Sequence, residues 1–196
     1  MHDQSEAMAA SRPLPAEERY QPRAVAYHWA MFWLVIIVGV LGELHDSWPK
    51  ATQAFWINVH ALCGLLLWFV LFARIGWRLR HPPPPLPAGI GAVSRHLSGP
   101  AHFALYALMF VIPIFGIITF IWHGRALDLG LLQVDFGVKK NPAVFHPTED
   151  IHGYLAQTLF AVAAIHALAA LWHQVVLKDS VLQRMWPARG SSSPSA

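Results

Sequence analysis

Charge is what this sequence has least of. Only 13% of its 196 residues are Asp, Glu, Lys or Arg, while 55% are hydrophobic. Water-soluble domains carry roughly 25% charged residues, so an ordinary soluble domain is excluded and a lipid environment is indicated. Cysteine is nearly missing. Cys63 stands alone, which excludes an internal disulfide and covalent attachment of a c-type haem through Cys-x-x-Cys-His. The first 24 residues, MHDQSEAMAASRPLPAEERYQPRA, lack the basic, apolar and small-residue order of a cleavable signal. The first apolar span is therefore expected to stay in the membrane. No stretch combines dense basic charge with spaced aromatics, and the net charge is only +3, so a nucleic-acid surface is excluded. There is no internal repeat.

Histidine and tryptophan, by contrast, are plentiful, at twelve and nine residues. Tryptophan suits membrane interfaces, and Trp29, Trp48, Trp56, Trp122 and Trp172 fall near the ends of apolar runs. Four such runs have spanning length, residues 26–44, 54–73, 101–122 and 151–177. A hydrocarbon core about 30 Å thick takes about 20 helical residues, and helices satisfy their own backbone groups in lipid. The expected fold class is therefore an all-α membrane protein, a four-transmembrane-helix bundle. It occupies residues 25–187, between a polar segment (1–24) and a disordered tail (188–196). Residues 74–100, with PPPPLP, and 123–150, with Pro142 and Pro147, are expected as irregular connections. Pro113 is expected to kink the third helix.

Orientation follows from the basic residues. The N-terminal segment, the second connection and the tail hold Arg12, Arg19, Arg23, Arg74, Arg78, Arg80, Arg95, Lys178, Arg184 and Arg189; the other side holds Lys50, Arg125, Lys139 and Lys140. The positive-inside rule places both termini in the cytoplasm of a bacterial inner (plasma) membrane.

The fourth run, EDIHGYLAQTLFAVAAIHALAALWHQ, carries His152, His166 and His173. An α-helix turns about 100° and rises about 1.5 Å per residue. Fourteen residues are close to four turns, so His152 and His166 share a face about 21 Å apart, with His173 nearly on the same face. Polar groups facing lipid are costly, so this face points inward. His60 enters the second helix level with His152. His28 and His102 lie in the same half of the membrane as His166. Two layers follow, His60 with His152, and His166 with His28 or His102. Two imidazoles from opposite helices suit a b-type haem. Zinc fits poorly, because its structural sites gather four ligands in one place. Gly64, one turn from His60, and Gly153, beside His152, are small residues that allow close approach of a cofactor or a helix.

These residues resemble the bacterial cytochrome b561 family. The stretches are YHW at 27–29, INVHALCG at 57–64, HFALYALMFVIPIFG at 102–116 and HGYLAQTLFAVAAIHALAALWHQVVLKDSVLQRMWP at 152–187. The resemblance implies two non-covalent b haems, with His28 and His166 as one axial pair and His60 and His152 as the other. It gives His102 a supporting rather than axial place. It sets His173 where a superoxide-oxidising relative has a histidine near ubiquinone, although the neighbouring second histidine is Gln174 here. Relatives either pass electrons from periplasmic superoxide to quinone or act as haem-bearing membrane anchors for a separate redox protein; the short build resembles the first kind. The expected function is electron transfer with no catalytic nucleophile. Arg74, Arg78 and Arg184 are candidates for the haem propionates, and Lys139 and Lys140 for attracting an anionic donor. A haem-free metal transporter would show no Soret band.

Overall fold

The computed structural model describes residues 18–86, 90–179 and 181–187. The segment 188–196, expected to be disordered, lies outside the described residues, as do the first 17. Four long helices dominate: α1 (Pro22–Glu43), α2 (Lys50–Arg80), α3 (Ala92–Trp122) and α4 (Pro142–Trp172). Each is long and apolar enough to cross a membrane. A short antiparallel pair, β1 (Leu127–Asp128) with β2 (Gln133–Val134), lies in the connection between α3 and α4.

All four helices begin before their expected starts, and α2 also runs past its expected end. Hydropathy falls at Arg74, but nothing breaks the backbone there, and α2 continues to Arg80. It stops at His81, which is extended (φ −133°, ψ 89°), as the residue before a proline tends to be. In α4 the start is Pro142, preceded by Asn141, whose side chain accepts a hydrogen bond from the Ala143 amide. Asparagine as cap and proline in the first turn form a helix start. Pro147 does not end this helix, and the Thr148 hydroxyl donates to the Val144 and Phe145 carbonyls, 3.0 Å each. Proline also sits inside α3, at Pro100 and Pro113. Trp68 of α2 donates to the Phe110 carbonyl just before Pro113, at 3.1 Å. The connections are accordingly shorter than residues 74–100 and 123–150.

The helices pack mainly as two hairpins, α1 with α2 and α3 with α4, which touch each other chiefly through α2 and α3. Met31, Leu67, Leu71, Met109, Ile112 and Leu159 form the central cluster, with Leu71 fully buried. Large apolar side chains such as Phe69, Phe103 and Ile165 remain outward on the bundle, where hydrocarbon is their natural solvent. Gly39 faces the Phe160 ring so closely that a Cβ there would overlap it, so the ring packs directly against the α1 backbone.

The helix ends on the side of both termini, called inner here without regard to membrane orientation and the opposite ends outer, are fastened by the C-terminal segment. Arg184 is buried and donates to the Glu18 carbonyl (2.5 Å) and the Pro85 carbonyl (2.7 Å). Trp29 donates to the Met185 carbonyl at 2.8 Å, and Arg19 to that of Trp186 at 3.2 Å. The outer hairpin is fastened to α2 by Asn58, which donates to the Asp128 carbonyl (2.8 Å) and accepts from the Asp128 amide (2.9 Å).

A paired-histidine candidate cofactor site

Helix spacing and helix packing together bring the histidines into two groups at opposite ends of the bundle. In the outer group, the rings of His60 (α2) and His152 (α4) stand 6.0 Å apart, centre to centre. Towards the inner end, His28 (α1) and His166 (α4) stand 6.4 Å apart. His102 (α3) lies 5.3 Å from His166 and gives its Nδ1 a 2.6 Å hydrogen bond to the Ser98 carbonyl. Two imidazoles sharing one metal ion should be separated by about 6 Å: about 2 Å per metal–nitrogen bond and about 1 Å from each nitrogen to its ring centre. The His60–His152 and His28–His166 separations meet this requirement. His102 is closer to His166 than such a sandwich allows, which suits a neighbour beside the pair.

The outer pair is held by a repeated device. His60 Nδ1 donates to the Val38 carbonyl of α1 at 3.0 Å; His152 Nδ1 donates to the Ile112 carbonyl of α3 at 3.0 Å. Four residues beyond each carbonyl is a glycine. A Cβ on Gly42 would come within 3.0 Å of His60, and one on Gly116 within 2.9 Å of His152. Glycine therefore opens the notch in which each ring reaches backbone. The bond fixes the proton on Nδ1 and leaves the Nε2 lone pair available, the usual arrangement of a metal-ligating histidine. In the inner group, His28 Nδ1 is buried with no partner, an orphan that buried polar groups seldom are.

The glycines selected from sequence play a different part. A Cβ at Gly64 or Gly153 would meet nothing within 4 Å, so close helix packing does not account for either. Gly42 and Gly116 are the functional glycines that sequence reasoning missed. Their signal was a glycine on the facing helix at the depth of a histidine, which only becomes visible once the helices are paired.

The remaining candidates fall around these groups. His173 is buried in a π-helical turn (His173–Leu177) that continues α4. Its Nδ1 meets Asp179 Oδ2 at 2.5 Å and its Nε2 meets Ser94 Oγ at 2.9 Å. Gln174 Oε1 is buried without a partner. Arg74 is buried, donates from Nε to the Tyr106 hydroxyl at 2.8 Å, and places its charge near His28 and His166. With Arg19, Arg78, Trp77 and Pro82–Pro84 it lines a cavity of about 250 Å³. Among the described residues no arginine forms an ion pair. Arg184 is not part of this cavity lining, and its Nε and one terminal nitrogen donate to the Glu18 and Pro85 carbonyls. At the outer rim, burial and the cations Arg125 and Lys140 hold the His123 pKa below the usual histidine value. Asp128 and Asp135 there accept from the amides of Gly130 and Gly137. Neither His45, His123 nor His146 joins either ring pair.

Four apolar helices holding imidazole pairs at two depths define a class, the membrane cytochromes that carry b-type haem between helices. The chain belongs to the prokaryotic cytochrome b561 family, whose model matches residues 19–188. It is 30% identical over 172 residues to the probable superoxide oxidase CybB of Yersinia pestis, covering 88% of this chain and 98% of that protein. Similarity extends to two Escherichia coli proteins. Cytochrome b561 homolog 2 is 30% identical over 177 residues, covering 86% of this chain and 91% of the relative. Cytochrome b561 homolog 1 is 25% identical over 173 residues, covering 87% and 98%. The protein is thus a multi-pass membrane cytochrome of prokaryotic type, and its family implies haem b.

Proposed function

We propose that the chain conducts electrons across the membrane, from a donor at its outer face to a quinone near its inner face. The observation that carries this reading is the presence of two imidazole pairs, at separate depths and each at about the separation of a shared metal ion. In this reading His60 and His152 hold one haem and His28 and His166 the other, with His102 beside the inner pair. Bound haem b supplies reversible one-electron chemistry at each position. The protein fixes the outer rings through the Val38 and Ile112 carbonyls, keeps them in the ligating tautomer, and surrounds them with apolar helix. Arg74, whose charge lies near His28 and His166, and Arg78, which lines the same cavity, form no ion pair among the described residues, and we assign them to the carboxylates of the inner haem.

The excess of basic residues on the side of both termini supports a cytoplasmic location for that side. Likeness to a protein described as a probable superoxide oxidase supports superoxide as the outer donor. Lys139 and Lys140, both exposed in the outer connection, are then cations that an arriving anion can meet. The quinone is assigned to the region of His173.

Vesicles loaded with ferricyanide test the conduction itself. Haem-loaded protein in the bilayer and a membrane-impermeant reductant outside should bleach the trapped ferricyanide at least about tenfold faster than protein-free vesicles do, a barrier difference of about 1.4 kcal/mol. Equal rates would refute a transmembrane electron path.

A further inference from the structure

The connection between α3 and α4 is apolar where a loop in water is usually polar. The turn that joins β1 to β2 reads Leu129-Gly130-Leu131-Leu132. Leu131 is fully exposed, Leu132 is 61% exposed, and Leu129 and Phe136 are exposed as well. In the strands themselves the paired apolar residues Leu127 and Val134 are half-buried. The fold therefore covers the apolar residues of the strands and leaves those of the turn bare. A contiguous apolar patch of this kind marks an interaction surface.

The place of the patch decides what covers it. Asn58 of α2 holds the turn through both ends of its amide, donating to the Asp128 carbonyl at 2.8 Å and accepting from the Asp128 amide at 2.9 Å. α2 begins at Lys50, so at about 1.5 Å per residue Asn58 lies about 12 Å below the outer end of the helix. It falls within the apolar run 54–73. It also stands on the outward face of α2. His60 is about 200° round the helix from Asn58, whereas Leu65 and Phe69 come within about 20° of it. Both are exposed, Phe69 at 71%, and this is the stripe that meets lipid. A polar side chain there is costly unless it is hydrogen-bonded, and Asn58 spends its amide on the turn. Asp128 is therefore held beside α2, on its lipid stripe, and not above the helix ends. The backbone of the turn suits that medium, in which a bare amide is expensive. The Asp128 amide is used on Asn58, the Leu129 amide donates to the Leu132 carbonyl at 2.9 Å, and the Gly130 amide donates to Asp128 Oδ1 at 2.7 Å.

We propose that the turn Leu129–Leu132 is a membrane anchor, tied to α2 by Asn58, whose leucines insert into the leaflet at the outer ends of the helices. The partner of this surface is the lipid itself. The patch continues the apolar stripe of Leu65 and Phe69, and its tether lies below the outer end of α2, where a soluble protein arriving from the outer side does not reach. Asp128, exposed at the edge of the turn, then lies at headgroup level while the leucines point into the acyl chains. The α1–α2 and α3–α4 hairpins touch each other chiefly through α2 and α3. An anchor that carries the α3–α4 connection across to α2 adds a second fastening between them on the outer side.

Spin labelling of the haem-loaded protein tests the anchor. Cys63→Ser removes the native thiol, and a nitroxide is attached at Leu131→Cys, with Phe69→Cys as the lipid reference and Lys139→Cys as the aqueous one. The protein is placed in vesicles of phosphatidylethanolamine with a minor share of phosphatidylglycerol. EPR power saturation then compares collisions with oxygen, which concentrates among acyl chains, and with nickel–EDDA, a polar complex that hydrocarbon excludes, present on both sides of the membrane. The oxygen-to-nickel ratio at position 131 should match that at 69 and exceed that at 139 severalfold. A ratio equal to that at 139 would put the turn in water and overturn the proposal. Low accessibility to both reagents would show protein over the turn, a second copy or a partner, and would overturn it equally. Leu131 is fully exposed, so its replacement removes no packing and the haem spectrum should not change. A label at Leu132→Cys reads the same turn from the neighbouring position and should give the same ratio. A ratio at 69 no higher than at 139 would instead remove the lipid stripe of α2 on which the proposal stands.

Discussion

Replacing His60 or His152 with alanine is expected to lower the haem content from two per chain to one, and the same haem should be lost in both variants. His28→Ala and His166→Ala should each remove the other haem. The reason is geometric. Each pair stands at about the separation of two imidazoles on one metal ion, 6.0 and 6.4 Å, and a low-spin b haem needs both. Because the members of a pair act as a unit, the double variant within one pair should lose no more haem than either single one. His102→Ala should retain both haems, since its ring sits 5.3 Å from His166 and its Nδ1 is used on Ser98. Haem per chain from a pyridine haemochrome assay, with reduced-minus-oxidised spectra, checks the five single variants and the double. Loss of haem in His102→Ala with retention in His28→Ala would reassign the inner pair.

The second large effect concerns the inner arginines. Arg74→Gln is expected to lower the midpoint potential of the inner haem and leave the outer one in place. A nearby cation disfavours the more positive, oxidised state, so its removal makes oxidation easier and the potential falls. A unit charge at a separation on the order of 10 Å and an effective dielectric of about 20 is worth about 1.7 kcal/mol. For one electron this corresponds to a shift of about 70 mV. Arg74→Lys, which keeps the charge while losing the bond to the Tyr106 hydroxyl, should fall by much less. A spectroelectrochemical titration resolves the two haems. An unmoved inner potential in Arg74→Gln would remove this cavity from the haem environment.

Depth and helical face were legible in the sequence because both follow from rise and twist. The 14-residue step from His152 to His166 is close to four turns, and the apolar runs fixed the half of the membrane in which each ring lies. The inner partner was not legible from spacing, since His28 and His102 both approach His166; the centre-to-centre distances, 6.4 Å and 5.3 Å, are what the proposed assignment to His28 rests on. Helix ends were misplaced wherever hydropathy was taken for backbone. Arg74–Arg80 stays helical because charge ends a membrane span but not a helix, and only Pro82 stops it. Pro147 looked like a breaker, yet Asn141 and Pro142 upstream were already a helix start. Gly42 and Gly116 could not be chosen over Gly64 and Gly153 without knowing which carbonyl each histidine reaches. The Ser94–His173 hydrogen bond was hidden for a similar reason, as the two residues lie 79 residues apart.

The central claim is that one chain holds two haems in two histidine layers. Purified protein, expressed with haem supplied, should therefore give a low-spin b-type difference spectrum and two haems per chain in the pyridine haemochrome assay. One haem per chain would contradict the two-layer account, and none would contradict the cytochrome assignment as a whole.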